Sequence, residues 1–340
     1  MNNPEISVII PVKNAGSIFD ECLAAVKVSQ KADYEIIVID DGSTDNTVDI
    51  ANKHACQVIS LPRSLGPANA RNVGALQARG SIIFFIDADI IICNAMLHRL
   101  SNIFRDKRVV GITGILAGQI RYNDFYSQYK NLWMRYTFLL LPDTISIFNT
   151  SCTAIRRETF LESGGFDTSY GRPSVEDSDF ARKFVGMGHV VHLRKDIEVE
   201  HVKSYTLLQI LKTDFYRSSD LVKMTLRDGL KKFFSPRESS APAISVPLTF
   251  VGGVGLFLLT VPPVLVGICA SVSWWPYLLL CGISTALFFC LNYSFLKWLK
   301  QQRGLAFSIK SFLFLLFLDI PVVTMGIFGG LVDYCRGNKY

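Results

Sequence analysis

The sequence predicts an α/β domain built on a mostly parallel sheet, followed by an α-helical membrane domain. Three observations predict it. Short, fully apolar, β-branched runs alternate with amphipathic stretches through the first half of the chain, the pattern of strands buried on both faces by crossover helices. Acidic residues recur directly after those runs, at the strand ends where ligands of such sheets bind. The charge then almost vanishes: residues 1–243 hold 29 Lys and Arg against 27 Asp and Glu, whereas the last 97 residues hold 6 against 2. The first part has an ordinary soluble composition, and the second is too apolar for a soluble domain of its size.

Taken in order, strands are expected at Ser7 to Val12, Glu35 to Ile39, Gln57 to Leu61 and Ser81 to Ile86. Helical spacing covers Ser17 to Ser29 and Asp45 to Lys53, the latter with Ser43 and Thr44 offering N-cap oxygens. A third helix should run from Pro67 to Arg79, Pro being tolerated in a first turn and Gly80 ending it. Further on, a helix to about Phe104 and a strand near Val109 to Thr113 precede the aromatic segment Tyr122 to Leu141, read either as a core helix or as one lying against a membrane. A strand near Asn149 to Arg156, a helix from Asp177 to Met187 and two strands, His189 to Leu193 and Ile197 to Glu200, complete a domain of residues 1–205.

Leu207 to Leu230 places Lys212, Arg217, Lys223 and Arg227 opposite its apolar positions. It reads as a basic interfacial helix, with an ordinary surface helix as the alternative, and it forms with the linker Ser235 to Pro242 a segment of residues 206–243. Residues 244–340 then hold three hydrophobic stretches, Ile244 to Ser273, Trp274 to Trp298 and Leu305 to Leu331. Each exceeds the roughly 20 residues needed to cross the hydrocarbon. Lys297, Lys300, Arg303 and Lys310 place the loop between the last two in the cytoplasm. The third stretch contains Asp319 and Pro321, and a single crossing would put Arg336 and Lys339 outside, so it reads either as a crossing or as a broken, re-entrant hairpin.

The net charge of +6 splits as +2 and +4 between the two parts, which argues against a nucleic-acid partner. The eight cysteines show no Cys-x-x-Cys pair and read as reduced. The opening Met-Asn-Asn-Pro-Glu lacks a basic n-region. An integral membrane protein with its α/β domain in the cytoplasm is expected.

Asp87-Ala88-Asp89 follows the buried run Ser81-Ile-Ile-Phe-Phe-Ile86. Two carboxylates two residues apart at a strand end can approach one divalent ion that also bridges phosphates, the usual way Mg²⁺ is held. Asp40-Asp41-Gly42-Ser43 puts acids at the tip of a second strand, and Gly66 through Gly74 opens a helix bearing Arg71, whose N–H groups and guanidinium suit phosphate.

Together, Val8-Ile-Ile-Pro-Val-Lys-Asn14, Ile39-Asp-Asp-Gly-Ser-Thr-Asp45, Gly66 through Gly74, Asp87-Ala-Asp89, Gly164-Gly-Phe-Asp167 and Glu176-Asp177 resemble family 2 glycosyltransferases of the GT-A fold, over about residues 5 to 205. The resemblance implies single-displacement, inverting transfer from a nucleotide sugar, a UDP-sugar favoured and a GDP-sugar the open alternative, with Mg²⁺ or Mn²⁺ as cofactor. Pro11, Lys13 and Asn14 would shape the nucleotide loop, Asp40 or Asp41 would contact base or ribose, and Arg71 and Asn72 would lie near the donor. Asp87 would contact sugar or ribose, Asp89 would bind the metal, His201 would complete the metal site, and Asp177 would be the general base beside Glu176. Gly164 and Gly165 would shape an acceptor loop. One departure matters: processive synthases of this family carry Gln-x-x-Arg-Trp after the base, whereas here Gln209-Ile-Leu-Lys212 and Arg217-Ser218 stand in that region. A single addition to a membrane lipid or lipid-linked acceptor is therefore the expectation. A processive synthase, a nucleotidyltransferase and a non-catalytic nucleotide-sugar-binding scaffold are the alternatives.

Overall fold

A computed structural model describes residues 3–29, 33–229, 248–269 and 275–338. Among these, nine strands form one sheet in the order β3-β2-β1-β4-β8-β6-β9-β5, with β7 pairing on β9. The first half is parallel and wound as the periodicity predicts. β1 (Ile6–Val12) lies between β2 (Tyr34–Asp40) and β4 (Ile82–Phe85), and β3 (Gln57–Ser60) edges β2. The crossovers are α1 (Gly16–Lys27), α2 (Thr47–Lys53) and α3 (Pro67–Gln77). Val8, Ile10 and Val38 pack on one face of the sheet and Ile9, Ile37 and Ile39 on the other, all essentially buried. This is why these strands are apolar throughout and do not alternate.

The second half is mixed. β8 (Thr153–Arg156) runs antiparallel to both β4 and β6 (Gly111–Leu116), and β9 (Val191–His201) runs parallel to β6. β5 (Ile90–Ile91) and β7 (Thr144–Ile145) both pair antiparallel with β9. α4 (Met96–Phe104), α6 (Arg157–Glu162) and α7 (Glu176–Gly186) complete the layers.

Several expectations change. Ser43 and Thr44 do not cap α2, whose N-cap is Asn46 with no side-chain bond. The hydroxyl of Ser43 instead accepts from Asn14 N at 3.0 Å, and Thr44 N donates to Asn14 Oδ1 at 2.8 Å. α3 stops at Gln77 with Ala78 already extended, so Gly80 is not its terminator. A Cβ on Gly80 would meet Ser7 N at 2.7 Å, so its smallness serves the close passage of the chain past β1. The two late strands are one, β9, which follows β6 across a register shift between Thr113 and Ile115.

α5 (Phe125–Leu139) is a wedge between the sheet and the C-terminal helices. Asn131 and Arg135 donate to the carbonyls of Ala117 and Leu116 at the end of β6, while Tyr129 meets Phe314 edge-on and Tyr136 lies tilted against Trp298, at centroid distances of 4.8 and 5.1 Å. α8 (Leu207–Asp228) starts at a capping box formed by Thr206 and Gln209.

The C-terminal helices are α9 (Leu248–Cys269), α10 (Trp275–Arg303), α11 (Leu305–Phe314) and α12 (Ile320–Cys335). A single π turn, Leu315–Asp319, joins α11 to α12 without a break, so the third hydrophobic stretch is one helix of 31 residues and not a re-entrant hairpin. Pro321 sits in the first turn of α12, where its missing N–H costs little. Among the described residues, two helices, Trp275–Arg303 and Leu305–Cys335, are long and apolar enough to span a membrane. The linker Ser235 to Pro242 lies outside the described residues.

Candidate active site

Three parallel strands deliver the site. β1, β2 and β4 all end on the same edge of the sheet, and the chain leaves them as Lys13-Asn14, Asp40-Asp41 and Asp87-Ala88-Asp89. Pro11 pairs with Ile39 inside the ladder, and Lys13 stands exposed beyond it. Asn14 takes a positive φ of 51°, a region that Asn tolerates better than most residues, and locks onto the turn of residues 43–44 described above. Gly16 N and Ala15 N donate to Asp45 Oδ2 and Thr47 Oγ1. The loops after β1 and β2 are thereby stapled into one wall.

Both carboxylates of the second acidic pair hold loop backbone. Asp40 accepts from Ser43 N at 2.9 Å, and Asp41 from Ser64 Oγ, Leu65 N and Gly66 N at 2.7, 2.7 and 3.0 Å. They shape the turn into α3. Gly66 has a φ of +89°, and a Cβ there would lie 2.9 Å from the carbonyl carbon of Gly171, so the loop 170–171 closes over the start of α3.

Arg71 is 4% exposed and is engaged by carboxylates on both sides. Its Nη2 donates to Asp87 Oδ1 at 2.7 Å and its Nη1 to Glu176 Oε1 at 3.2 Å. Ser151 donates to the other oxygen of Asp87 at 2.7 Å. Burial opposes ionisation of Asp87, but Arg71 and the Ser151 bond outweigh it and hold the carboxyl below its ordinary range. Arg71 is thus a brace between acids of α7 and β4, a use of this residue that its place on an apparent phosphate-binding helix does not announce.

Asn72, next on α3, fixes the diglycine loop. Its Nδ2 donates to Phe166 O at 2.8 Å and its Oδ1 accepts from Phe166 N at 2.9 Å. Gly164 and Gly165 take φ of +80° and +65°, and a Cβ on Gly165 would lie 2.6 Å from Asn72 Oδ1. Both glycines are therefore required by backbone conformation, and Gly165 also by space.

Asp89 and His201 meet because β5 pairs with β9 in a register that places Ile90 opposite His201. His201 Nε2 lies 3.4 Å from Asp89 Oδ2, and Val202 N donates to Asp89 O at 2.7 Å. Asp89 Oδ1 is buried and finds no hydrogen-bond partner among the described residues. An orphaned carboxylate oxygen beside an imidazole is a costly arrangement without a cation. It fits a divalent ion. Among the described residues no cluster of three or more His, Cys, Asp or Glu side chains is arranged to hold a metal. Asp89 and His201 would be two protein ligands of an ion whose remaining positions phosphate and water fill.

Asp177 opens α7 and is half-buried; its Oδ1 accepts only from Ser178, N and Oγ. Desolvation, reinforced by the charge of Glu176, pushes Asp177 up to about 7, against the pull of Arg217 and Arg71. Glu176 is committed elsewhere, to Arg71 and to Ser174 N at 2.8 Å. The pair therefore splits its work: Glu176 braces, and Asp177 keeps a carboxyl of near-neutral affinity for a proton.

Two cations that the motifs did not single out for the site complete it. Lys203 follows His201 by two residues on the chain and feels Asp89 and Asp87. Arg217 projects from α8 near enough to Asp177 to favour its ionised form. Both are exposed. The signal for Lys203 was its spacing from His201. For Arg217 it was the helical interval of three from Asp220, whose carboxylate accepts from Ser174 Oγ at 2.5 Å and from Arg172 at 2.9 Å, just ahead of Asp177.

With this geometry in view, comparisons with known proteins place the domain. Residues 7–164 match the model of glycosyl transferase family 2. An uncharacterized glycosyltransferase of Haemophilus influenzae is 35% identical over 122 residues, 34% of this chain and 49% of the relative. A poly(ribitol-phosphate) beta-glucosyltransferase of Bacillus spizizenii is 34% identical over 122 residues, 34% of this chain and 19% of the relative. The matches thus span half or less of these curated relatives. Among solved structures, the mannosyltransferase PcManGT of Pyrobaculum calidifontis, in complex with GDP-Man and Mn2+, superposes with a TM-score of 0.61 at 20% identity, covering 92% of this chain and 88% of that one. The sheet has the GT-A fold of that structure, and residues 7–164 are similar to glycosyl transferase family 2.

Proposed function

We propose that the protein is an inverting, metal-dependent glycosyltransferase that moves one sugar from a nucleotide-sugar donor to a lipid or lipid-linked acceptor at the cytoplasmic face of a membrane. The observation that carries this reading is the pairing of Asp89 with His201 at the carboxyl edge of the sheet, with Arg71 joining Asp87 on that edge to Glu176, the neighbour of Asp177 on α7.

The nucleotide would sit against the wall built by Pro11, Lys13, Asn14, Asp40 and Asp41. Asp89 and His201 would hold Mg²⁺ or Mn²⁺, which supplies neutralisation of the diphosphate as it leaves. Lys203 and Arg217 add fixed positive charge on the same side. Asp177 accepts the proton of the acceptor hydroxyl as that oxygen bonds to the anomeric carbon of the sugar. The bond from that carbon to the phosphate oxygen breaks on the opposite face, so the nucleoside diphosphate departs and the configuration inverts. Asp87, braced by Arg71, presents its carboxylate toward sugar or ribose.

PcManGT was solved in complex with GDP-Man and Mn2+, which keeps a guanosine donor open beside uridine for this chain. Single addition is supported by Arg217-Ser218 standing where a processive enzyme carries Arg-Trp. The test is transfer from a panel of radiolabelled nucleotide sugars by membranes containing the protein, with Mg²⁺ or Mn²⁺, followed by organic extraction. Label in the lipid phase that is lost in Asp89→Ala is the expected result. Label confined to insoluble polymer would overturn single addition, and release of pyrophosphate would assign a nucleotidyltransferase.

A further inference from the structure

The helix Leu305–Cys335 is long enough to cross a bilayer, at about 1.5 Å per residue, yet it is tied to the α/β domain at its beginning, middle and end. Just ahead of it, Arg303 at the end of α10 donates to Gln128 Oε1 at 2.6 Å and to Gly118 O at 2.8 Å, and in its first turns the Lys310 ammonium lies 4.3 Å from the centre of the Phe125 ring. At the π turn, Tyr129 donates to Asp319 Oδ2 at 3.2 Å, beside the buried ion pair of Lys130 with Asp214. At the end, Gly326 and Gly330 let α8 approach so closely that a Cβ on either would lie 2.4 Å or less from an atom of Phe215, Ser218 or Ser219, and Tyr334 donates to Leu226 O at 3.3 Å.

α8 is itself bound to the α/β domain along the same length. Asp220 pairs with Arg172, Arg227 with Asp179 and Asp228 with Arg182. These ion pairs belong in water or at its edge, because carrying them to the bilayer midplane is costly. A helix that crossed the bilayer would leave the domain by several ångströms with every turn. This one does not leave it.

Among the described residues, nothing covers its other face. Leu305, Ile309, Leu313, Phe317, Met325, Phe328 and Val332 are 47–66% exposed and recur at intervals of three, four and eight residues, so they form one stripe from end to end. The cations Lys300, Lys310 and Arg336 are exposed at the start and end of the helix.

We propose that Leu305–Cys335 lies in the plane of the membrane surface, its apolar stripe in the headgroup and acyl boundary of one leaflet and its opposite face on α5 and α8. The occupant of the stripe is lipid, because the stripe is continuous with the apolar pair α9 and α10 and is bordered by basic residues suited to anionic headgroups. Arg336 then lies on the same side as Lys300 and Lys310, in accord with the positive-inside rule. The proposal rests on membrane association of the chain but on no particular acceptor.

Two native cysteines make the test direct. Cys93 on the α/β domain and Cys335 at the end of the helix are both free and exposed. Sealed vesicles carrying the full chain are treated with a membrane-impermeant maleimide from either side, and the two peptides are mapped. Cys335 should label to the same extent as Cys93 and from the same side; labelling from opposite sides would overturn the proposal. A second measurement uses nitroxides on Phe317→Cys and Phe328→Cys, in a background without other reactive cysteines. Equal depth at the two positions is expected, whereas a crossing helix would separate them by about 16 Å. Release of the chain by alkaline carbonate would instead remove the membrane association itself, an outcome distinct from either topology.

Discussion

Arg71 and Glu176, 105 residues apart in sequence, meet at 3.2 Å in the interior, and the same guanidinium reaches Asp87 at 2.7 Å. One side chain on α3 thus sets the spacing between the acid that follows β4 and the acids that open α7. Removing it leaves Glu176, 5% exposed, as an uncompensated buried charge. Arg71→Ala should therefore cost about 3 kcal/mol of stability, as loss of one partner of a buried pair does. Denaturant unfolding of the purified protein measures it. Arg71→Lys should recover only part, since one ammonium cannot serve both carboxylates in fork geometry.

Asp89 contrasts with Asp87, for its Oδ1 has no partner to lose. Asp89→Ala should leave thermal stability nearly unchanged while lowering metal-dependent donor binding and transfer by about 100-fold or more. His201→Ala should act on the same quantities less severely. Titration of Mn²⁺ in the presence of nucleotide diphosphate reads both, and unaltered affinity in Asp89→Ala would remove it from the metal site.

The proton affinity of Asp177, near 7, sets a pH signature. A base must be ionised to accept a proton, so transfer to a hydroxyl acceptor should fall about tenfold per pH unit below 7 and level off above it. Because the charge of Arg217 favours the ionised form, Arg217→Ala should move the ascending limb to higher pH. Asp177→Asn should abolish the limb together with the activity. A phosphate acceptor, already anionic, would give a flat profile and near-normal turnover in Asp177→Ala.

Gly165 is held at φ +65° with Asn72 Oδ1 where a Cβ would go. Gly165→Ala should cost about 1–3 kcal/mol through backbone strain and the displaced Asn72 bonds. If the loop receives the acceptor, its KM should rise more than that of the donor. Equal effects on the two would assign the loop to the donor instead.

Much of this was legible in the chain because it depends on local chemistry. The runs Ile6–Val12 and Ile82–Phe85 could be nothing but buried strands, and the acids after them had to lie at the sheet edge. What the sequence hides are relationships of register and partner choice. The resemblance puts His201 in the metal site with Asp89, but the pairing of Ile90 and Ile91 with the end of β9 that joins them is not legible in the chain. Arg71 reads as a phosphate ligand until Asp87 and Glu176 are seen on either side of it. Ser43 reads as a cap until Asn14 claims its hydroxyl.

The short connection after β9 has a mechanical consequence. His201 ends β9, and only Val202 to Thr206 separate it from α8, with Val202 N already bonded to Asp89 O. α8 in turn rests along α12 for much of its length. The helix is a long lever whose short arm ends at a ligand of the proposed metal. A small tilt of α8 would move Arg217, which the helix carries, and through that short connection would draw His201 and Lys203 with it.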